Sequence, residues 1–108
     1  AISDLQRIKI SKKDIVVGIA ASGRTPYVIG GIEYAKKQGC ITSCIVTAAN
    51  SQLAALVDLP IEAITGEEVI AGSTRLKSGT AQKMICNMIS TASMIKMGKV
   101  YENYIIST

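Results

Sequence analysis

The sequence predicts an α/β fold, a parallel sheet in a three-layer αβα arrangement with about three strands present. Three observations carry this. Short apolar runs rich in Ile, Val and Cys alternate with stretches of helical periodicity. Strand, helix, strand, helix and strand follow one another within ~50 residues, which requires parallel pairing through right-handed crossovers. The chain is 48% hydrophobic and 19% charged, with a mean hydropathy of +0.32, as expected of strands covered on both faces by helices. At 108 residues it is one domain or part of one.

Residues 1–13 mix charge with Ile2, Leu5, Ile8 and Ile10, and the spacing of Ile2, Leu5 and Ile8 allows a short amphipathic helix. The run Asp14-Ile15-Val16-Val17-Gly18-Ile19 reads as a buried parallel strand over 14–20. A helix over 26–38 follows, with Thr25 at the N-cap, Pro26 at the first helical position and Gly39 as its stop. Residues 40–47 form the second strand, 52–57 one or two helical turns, and 59–64 a short third strand with Pro60 near its start. After a polar loop over 65–72, a long helix begins at 74 or 78 and runs to 97. Its stripe is Ala81, Met84, Ile85, Met88, Ile89, Ala92 and Ile95, and Met84 and Met88 read as core residues. Gly98 ends it, and the apolar tail over 100–108 has no predicted element. Doubly wound sheets normally carry more strands than this, so the chain reads as a partial domain, possessing two sheet edges of its own.

Two strand-to-helix junctions concentrate the chemistry. The first is Ala20-Ala21-Ser22-Gly23-Arg24-Thr25-Pro26. Free N–H groups and the dipole of the following helix favour an anion there. Ser22 and Thr25 add hydroxyl donors and Arg24 a bidentate cation, so the loop suits a phosphate or carboxylate. Junctions of this composition also occur simply as turns and caps, and the loop alone leaves both readings open. The second stretch runs from Gly66 to Thr80 and packs Glu67, Glu68, Ser73, Thr74, Arg75 and Lys77 together. It suits a polyol bearing a phosphate, its carboxylates accepting from hydroxyls and its cations meeting charged oxygens. The plainer reading is a helix start capped by Ser73 or Ser78.

Other chemistries are excluded by composition. There is no His, so no His-based triad or proton shuttle exists, and Cys40, Cys44 and Cys86 lack zinc-ligand spacing. Reduced, mostly buried thiols and a cytoplasmic setting are expected. The net charge of +4 spreads over a solvated surface and helix ends, with no aromatic interleaving, so no nucleic-acid partner is expected. No apolar run approaches the ~20 residues of a membrane span, so no membrane partner is expected either.

The stretches Ala20-Ala21-Ser22-Gly23-Arg24-Thr25-Pro26-Tyr27-Val28 and Gly72-Ser73-Thr74-Arg75-Leu76-Lys77-Ser78-Gly79-Thr80-Ala81-Gln82-Lys83 closely resemble the N-acetylmuramic acid 6-phosphate etherases. These belong to the sugar isomerase (SIS) domain superfamily, and the likeness extends from about Asp14 to Tyr104. The resemblance implies an SIS-type, flavodoxin-like sheet, here the second half of that domain. It implies a lyase that cleaves the D-lactyl ether of a phosphorylated amino sugar with water, giving N-acetylglucosamine 6-phosphate and D-lactate in cell-wall sugar recycling. It implies no metal or organic cofactor, and a homodimer.

By the same resemblance, the substrate-binding residues are Ser22, Gly23, Arg24 and Thr25 in the phosphate loop, and Glu68, Ser73, Thr74, Arg75 and Lys77 near the sugar. Ala20 stands for the first Ser of the superfamily's loop pattern, a change that resembles the etherase branch, while Ala48 stands for the family's Asn and Glu67 for its Pro. The family's acid and base glutamates lie upstream of the region matched here, so no catalytic residue is expected in this chain. The alternative is a non-catalytic regulatory protein that binds phosphosugars.

Overall fold

The computed structural model describes residues 1–102 and 104–105. Its first element, α1 (Ile2–Arg7), lies on α2 (Pro26–Lys37), and the Tyr27 hydroxyl donates to Asp4 Oδ2 across that contact. Strands β1 (Ile15–Ile19), β2 (Ile41–Val46) and β3 (Leu59–Glu62) form one parallel sheet in the order β1-β2-β3. The five-residue α3 (Gln52–Leu56) joins β2 to β3. The predicted elements thus occur in the predicted order, each within a few residues of its expected ends. Positive φ at Gly39 and Gly98 closes α2 and the last helix as the sequence implied.

A sheet that grows in one direction through right-handed crossovers carries its crossover helices on one face. Here α2 and α3 share a face with Val16, Gly18 and Ala20 of the β1 arm and with Cys44 and Val46 of β2. The core lies between them: Ile29, Ile32, Leu53 and Val57 close over Ala20, Cys44 and Val46. A Cβ at Gly18 would meet Val28 Cγ1 at 2.7 Å and Ile32 Cγ1 at 3.2 Å, so this glycine is what lets α2 sit down on the sheet. Asp58 fastens β3 to β2, its Oδ2 accepting from Thr42 N and Thr42 Oγ1 at 2.9 and 3.0 Å. Those two bonds hold the Asp58 carboxyl below its usual pKa. Lys36 Nζ donates to the Leu56 carbonyl, closing the end of α3.

The opposite face is covered at its centre, where Ser43 and Ile45 of β2 are buried, and bare around it. Ile15, Val17, Ile19, Ile41 and Leu59 point there and are exposed, Ile15 to 62% and Leu59 to 59%. One full helical layer is therefore built by the described residues, and the apolar pattern for a second extends over β1 and the starts of β2 and β3 without a cover. This accords with a partial domain.

The long helix α4 (Lys77–Lys96) corrects one expectation. Met84 and Met88 are not core residues: they are 56% and 66% exposed, and Ile89 and Ile95 are exposed with them. Ser78, in the first turn, is its buried residue. The helix touches β2, and along its stripe only Ala81 and Ile85 are half-buried, while Met84, Met88, Ile89, Ala92 and Ile95 stand exposed. A helical period shows that a face wants burial; it does not say which part of a fold supplies the cover. The tail forms a small antiparallel ladder, β4 (Val100–Tyr101) with β5 (Tyr104–Ile105). Positions 103 and 106–108 of the unassigned tail lie outside the described residues.

Candidate functional site

The carboxyl ends of β1 and β2 and the first turn of α4 meet at one end of the sheet. Loop 20–25 leaves β1 there. Gly23 is buried with φ +69°, a conformation that glycine adopts without steric cost. Ser22 Oγ accepts from Arg24 N at 3.2 Å, and Gly23 N donates to the Ala20 carbonyl at 3.1 Å. Thr25 takes the N-cap position of α2 as predicted, but its side chain makes no capping bond. Pro26 has no N–H to satisfy.

Donors are left over as a result. Among the described residues, the N–H groups of Ser22, Thr25 and Tyr27 have no hydrogen-bond partner, and neither does the Thr25 hydroxyl. The Arg24 guanidinium, exposed in the same loop, makes no ion pair among the described residues. Unmet N–H groups at a helix start, two hydroxyls and a cation are the kind of donor set that an oxyanion cradle requires.

The loop is held from beneath by α3. Leu53 N donates to the Gly23 carbonyl at 3.0 Å. Ser51 caps α3, its Oγ accepting from Ala54 N at 3.1 Å, and packs against the α-carbon of Gly23. Ser51 was not singled out from the sequence; Ser directly before an apolar helical turn is the N-cap signal that identifies it.

The second stretch is arranged differently from the expectation of a Ser73 or Ser78 cap. Leu76 occupies the N-cap position of α4 and makes no side-chain bond, and Ser78 lies inside the first turn. Glu68 takes over the capping role from eight residues upstream of that cap. Its Oε2 accepts from Lys77 N at 2.9 Å and its Oε1 from Ser78 N at 3.0 Å. Glu68 is 9% exposed, with both oxygens engaged, so the structure gives it the work of holding α4 in place. Ser73 is half-buried and its Oγ accepts from Arg75 N at 3.3 Å; Thr74 and Arg75 are exposed, and Lys77 Nζ donates to the Glu67 carbonyl at 2.9 Å. No hydrogen bond among the described residues joins Ser22–Thr25 directly to Ser73–Lys77. The connection runs through two buried hydroxyls, Thr47 and Ser78, whose oxygens are 2.8 Å apart.

The bonds from Ser78 N and then Lys77 N hold the Glu68 carboxyl below its usual pKa. A depressed folded-state pKa contributes stability that is complete above the ordinary Glu value and is lost as pH falls through the depressed one. Glu68→Gln is therefore expected to lower the midpoint of thermal unfolding most at neutral pH. The gap between the two proteins should narrow as the solution is acidified. Melts across acid to neutral pH check this, and a gap that stays constant would show that the charge is not what caps α4.

The SIS domain family pattern matches residues 2–92. The chain belongs to the SIS domain family. Several relatives carry the name N-acetylmuramic acid 6-phosphate etherase. That of Clostridioides difficile is 61% identical over 97 residues, covering 90% of this chain and 32% of the relative. That of Histophilus somni is 55% identical over 106 residues, covering 98% and 35%. That of Pseudothermotoga lettingae is 59% identical over 104 residues, covering 96% and 35%. The SIS chain thus spans about a third of the length of the curated relatives it matches. A solved structure described as a hypothetical protein shares the fold, with a TM-score of 0.64 at 18% identity, covering 83% of this chain and 52% of that one. No helix among the described residues of this SIS domain is long and apolar enough to cross a membrane.

Proposed function

We propose that this SIS domain forms the phosphosugar-positioning part of an N-acetylmuramic acid 6-phosphate etherase, a carbon–oxygen lyase of cell-wall sugar recycling. The observation that carries the reading is the donor set at 22–27: among the described residues the N–H groups of Ser22, Thr25 and Tyr27 are free and Arg24 is unpaired, with two hydroxyls beside them. The names of the 55–61% identical relatives supply the substrate, a phosphorylated amino sugar. Ser22, Gly23, Arg24 and Thr25 would hold the phosphate. Ser73, Thr74, Arg75 and Lys77 would stand towards the sugar, with Glu68 as their support.

Breaking an ether by elimination needs a base to remove a carbon-bound proton and an acid to protonate the departing oxygen. Two glutamates in different surroundings can divide that work without His. Glu68 is poorly suited to either role, because two backbone N–H groups stabilise its charge and occupy its oxygens. The acid–base pair is accordingly assigned to the part of the relatives that this chain does not span. The phosphate loop contributes by holding the sugar in register with that pair. A sugar phosphate does not cross a bilayer unaided, which favours a cytoplasmic reaction. The bare sheet face and the stripe of α4 are apolar surfaces on which a homodimer could be built.

Titrating the chain with N-acetylmuramic acid 6-phosphate, and assaying D-lactate, tests the reading. Binding without lactate release is expected. Ser22→Ala combined with Arg24→Ala should weaken that binding about 100-fold, two charge-assisted or hydroxyl bonds at roughly 1.5–3 and 0.5–1.5 kcal/mol being lost. Unchanged affinity in the double variant would sink the site assignment, and phosphosugar binding without lactate release by a chain extended to the full length of the relatives would redirect the reading to a regulatory protein.

A further inference from the structure

We infer that Thr47 is a positioning residue for the anion site: its hydroxyl, held by Ser78, fixes the peptide between Ala21 and Ser22 so that the Ser22 N–H faces the bound phosphate. The inference rests on the functional reading above and extends it to a residue outside the two motifs.

The Ala21 carbonyl receives two bonds from one residue, from Thr47 N at 3.0 Å and from Thr47 Oγ1 at 3.2 Å. In a trans peptide the C=O and the following N–H point in opposite directions. Tying the Ala21 oxygen to Thr47 therefore turns the Ser22 N–H away from the sheet, and that N–H is one of the three unmet donors of the cradle. Rotation of this peptide would withdraw a donor and present a carbonyl oxygen to the anion in its place. Thr47 prevents it with two bonds where one would suffice for the strand end.

The hydroxyl is itself constrained. Thr47 Oγ1 lies 2.8 Å from Ser78 Oγ, and its single proton is shared between Ser78 and the Ala21 carbonyl. Ser78 Oγ is also 3.4 Å from Thr65 Oγ1, and Ser78 N is bonded to Glu68 Oε1. Thr47 and Ser78 are both buried, at 8% and 5% exposure. A valine at 47 would fill the same volume, and buried hydroxyls without partners are costly. What the hydroxyl adds is direction. It also joins the phosphate loop to the first turn of α4, so the two motifs that share no direct bond share this one strut.

Backbone NMR with inorganic phosphate and with N-acetylglucosamine 6-phosphate as probes tests the inference. In the wild type, the Ser22 amide is expected to shift on titration together with those of Thr25 and Tyr27. Thr47→Val should weaken both ligands by the same factor, about five- to tenfold for one lost hydrogen bond, and should change the Ser22 amide of the free protein. Thr47→Ser, which keeps the hydroxyl, should restore binding to about twofold of wild type. A folded Thr47→Val protein with wild-type affinity overturns the inference and leaves the functional reading standing. So does a Thr47→Ser protein as weak as the valine variant. Should Thr47→Val fail to fold, the wild-type titration decides: a silent Ser22 amide beside responding Thr25 and Tyr27 amides overturns the inference. A wild type that binds neither probe removes the anion site itself, and the inference with it.

Discussion

Gly23→Ala is expected to abolish phosphosugar binding at concentrations that saturate the wild type, a loss of roughly 100-fold or more, equivalent to about 2.7 kcal/mol. Two independent effects converge on this position. The residue sits at φ +69°, where a side chain costs about 1–2 kcal/mol. The added methyl would also fall on the Ser51 Cβ, 2.5 Å from Ser51 Oγ and 3.3 Å from Val46 Cγ1. None of these neighbours can retreat easily. Ser51 is buried and bonded to Ala54 N as the cap of α3, and Val46 is in the core. Overpacking of such a site costs about 1–3 kcal/mol.

Relief would have to come from the loop itself, which would lift away from α3 and break the bond from Leu53 N to the Gly23 carbonyl. The orientation of the Ser22 and Thr25 donors would go with it. Calorimetric titration with the sugar phosphate, beside a thermal melt, checks both parts. A folded variant with unchanged affinity would mean that the loop does not hold the phosphate.

Leu53→Ala is expected to cost about 2–5 kcal/mol of stability, the range for emptying a fully buried leucine site. Leu53 is 0% exposed and packs among Ala20, Ile29, Ile32, Cys44, Val46 and Val57, so it plugs the core from the α3 side. In a domain of this size each kcal/mol lowers Tm by roughly 4–8 °C. The effect should reach the site as well. A helix of five residues has no stability of its own and exists here because Leu53 anchors it. Releasing it frees Ser51 and the Leu53 N–H, the two supports beneath Gly23. A thermal melt with and without ligand measures both. A Tm within a degree or two of wild type would show that α3 is held by something other than this side chain.

The local chemistry of both motifs was legible because it depends on neighbours in sequence. Thr25-Pro26 announces a helix start, Gly23 a turn, and Gly39 and Gly98 helix ends, and each occurs where its backbone preference places it. The strands were legible because apolar runs of that length, separated by helical periods, have few other ways to pack. Glu68 was legible as a member of the second motif but not in its task. Which donors a carboxylate meets depends on how the 65–76 loop folds back on α4, and no periodicity encodes that. Thr47 and Ser51 went unnoticed for a related reason, each being an ordinary polar residue beside a strand or helix until the sheet brings it under the loop. Their partners lie 26 residues away for Thr47 and Ala21, and 31 for Thr47 and Ser78.

The sequence by itself determined the order of elements, the parallel sheet, the position of the loop between β1 and α2 and the family to which the chain belongs. These follow from propensity, period and motif, all properties of contiguous residues. Tertiary structure alone decided that α2 and α3 cover one face of the sheet while Ile15, Val17, Ile41 and Leu59 on the other stand open. It decided that most of the stripe of α4 stands exposed, and that Glu68 caps a helix. It also decided that a threonine at the end of β2 aims the peptide of a loop at the end of β1. Each of these depends on which surfaces and donors arrive at the same place, and that is settled by long-range packing.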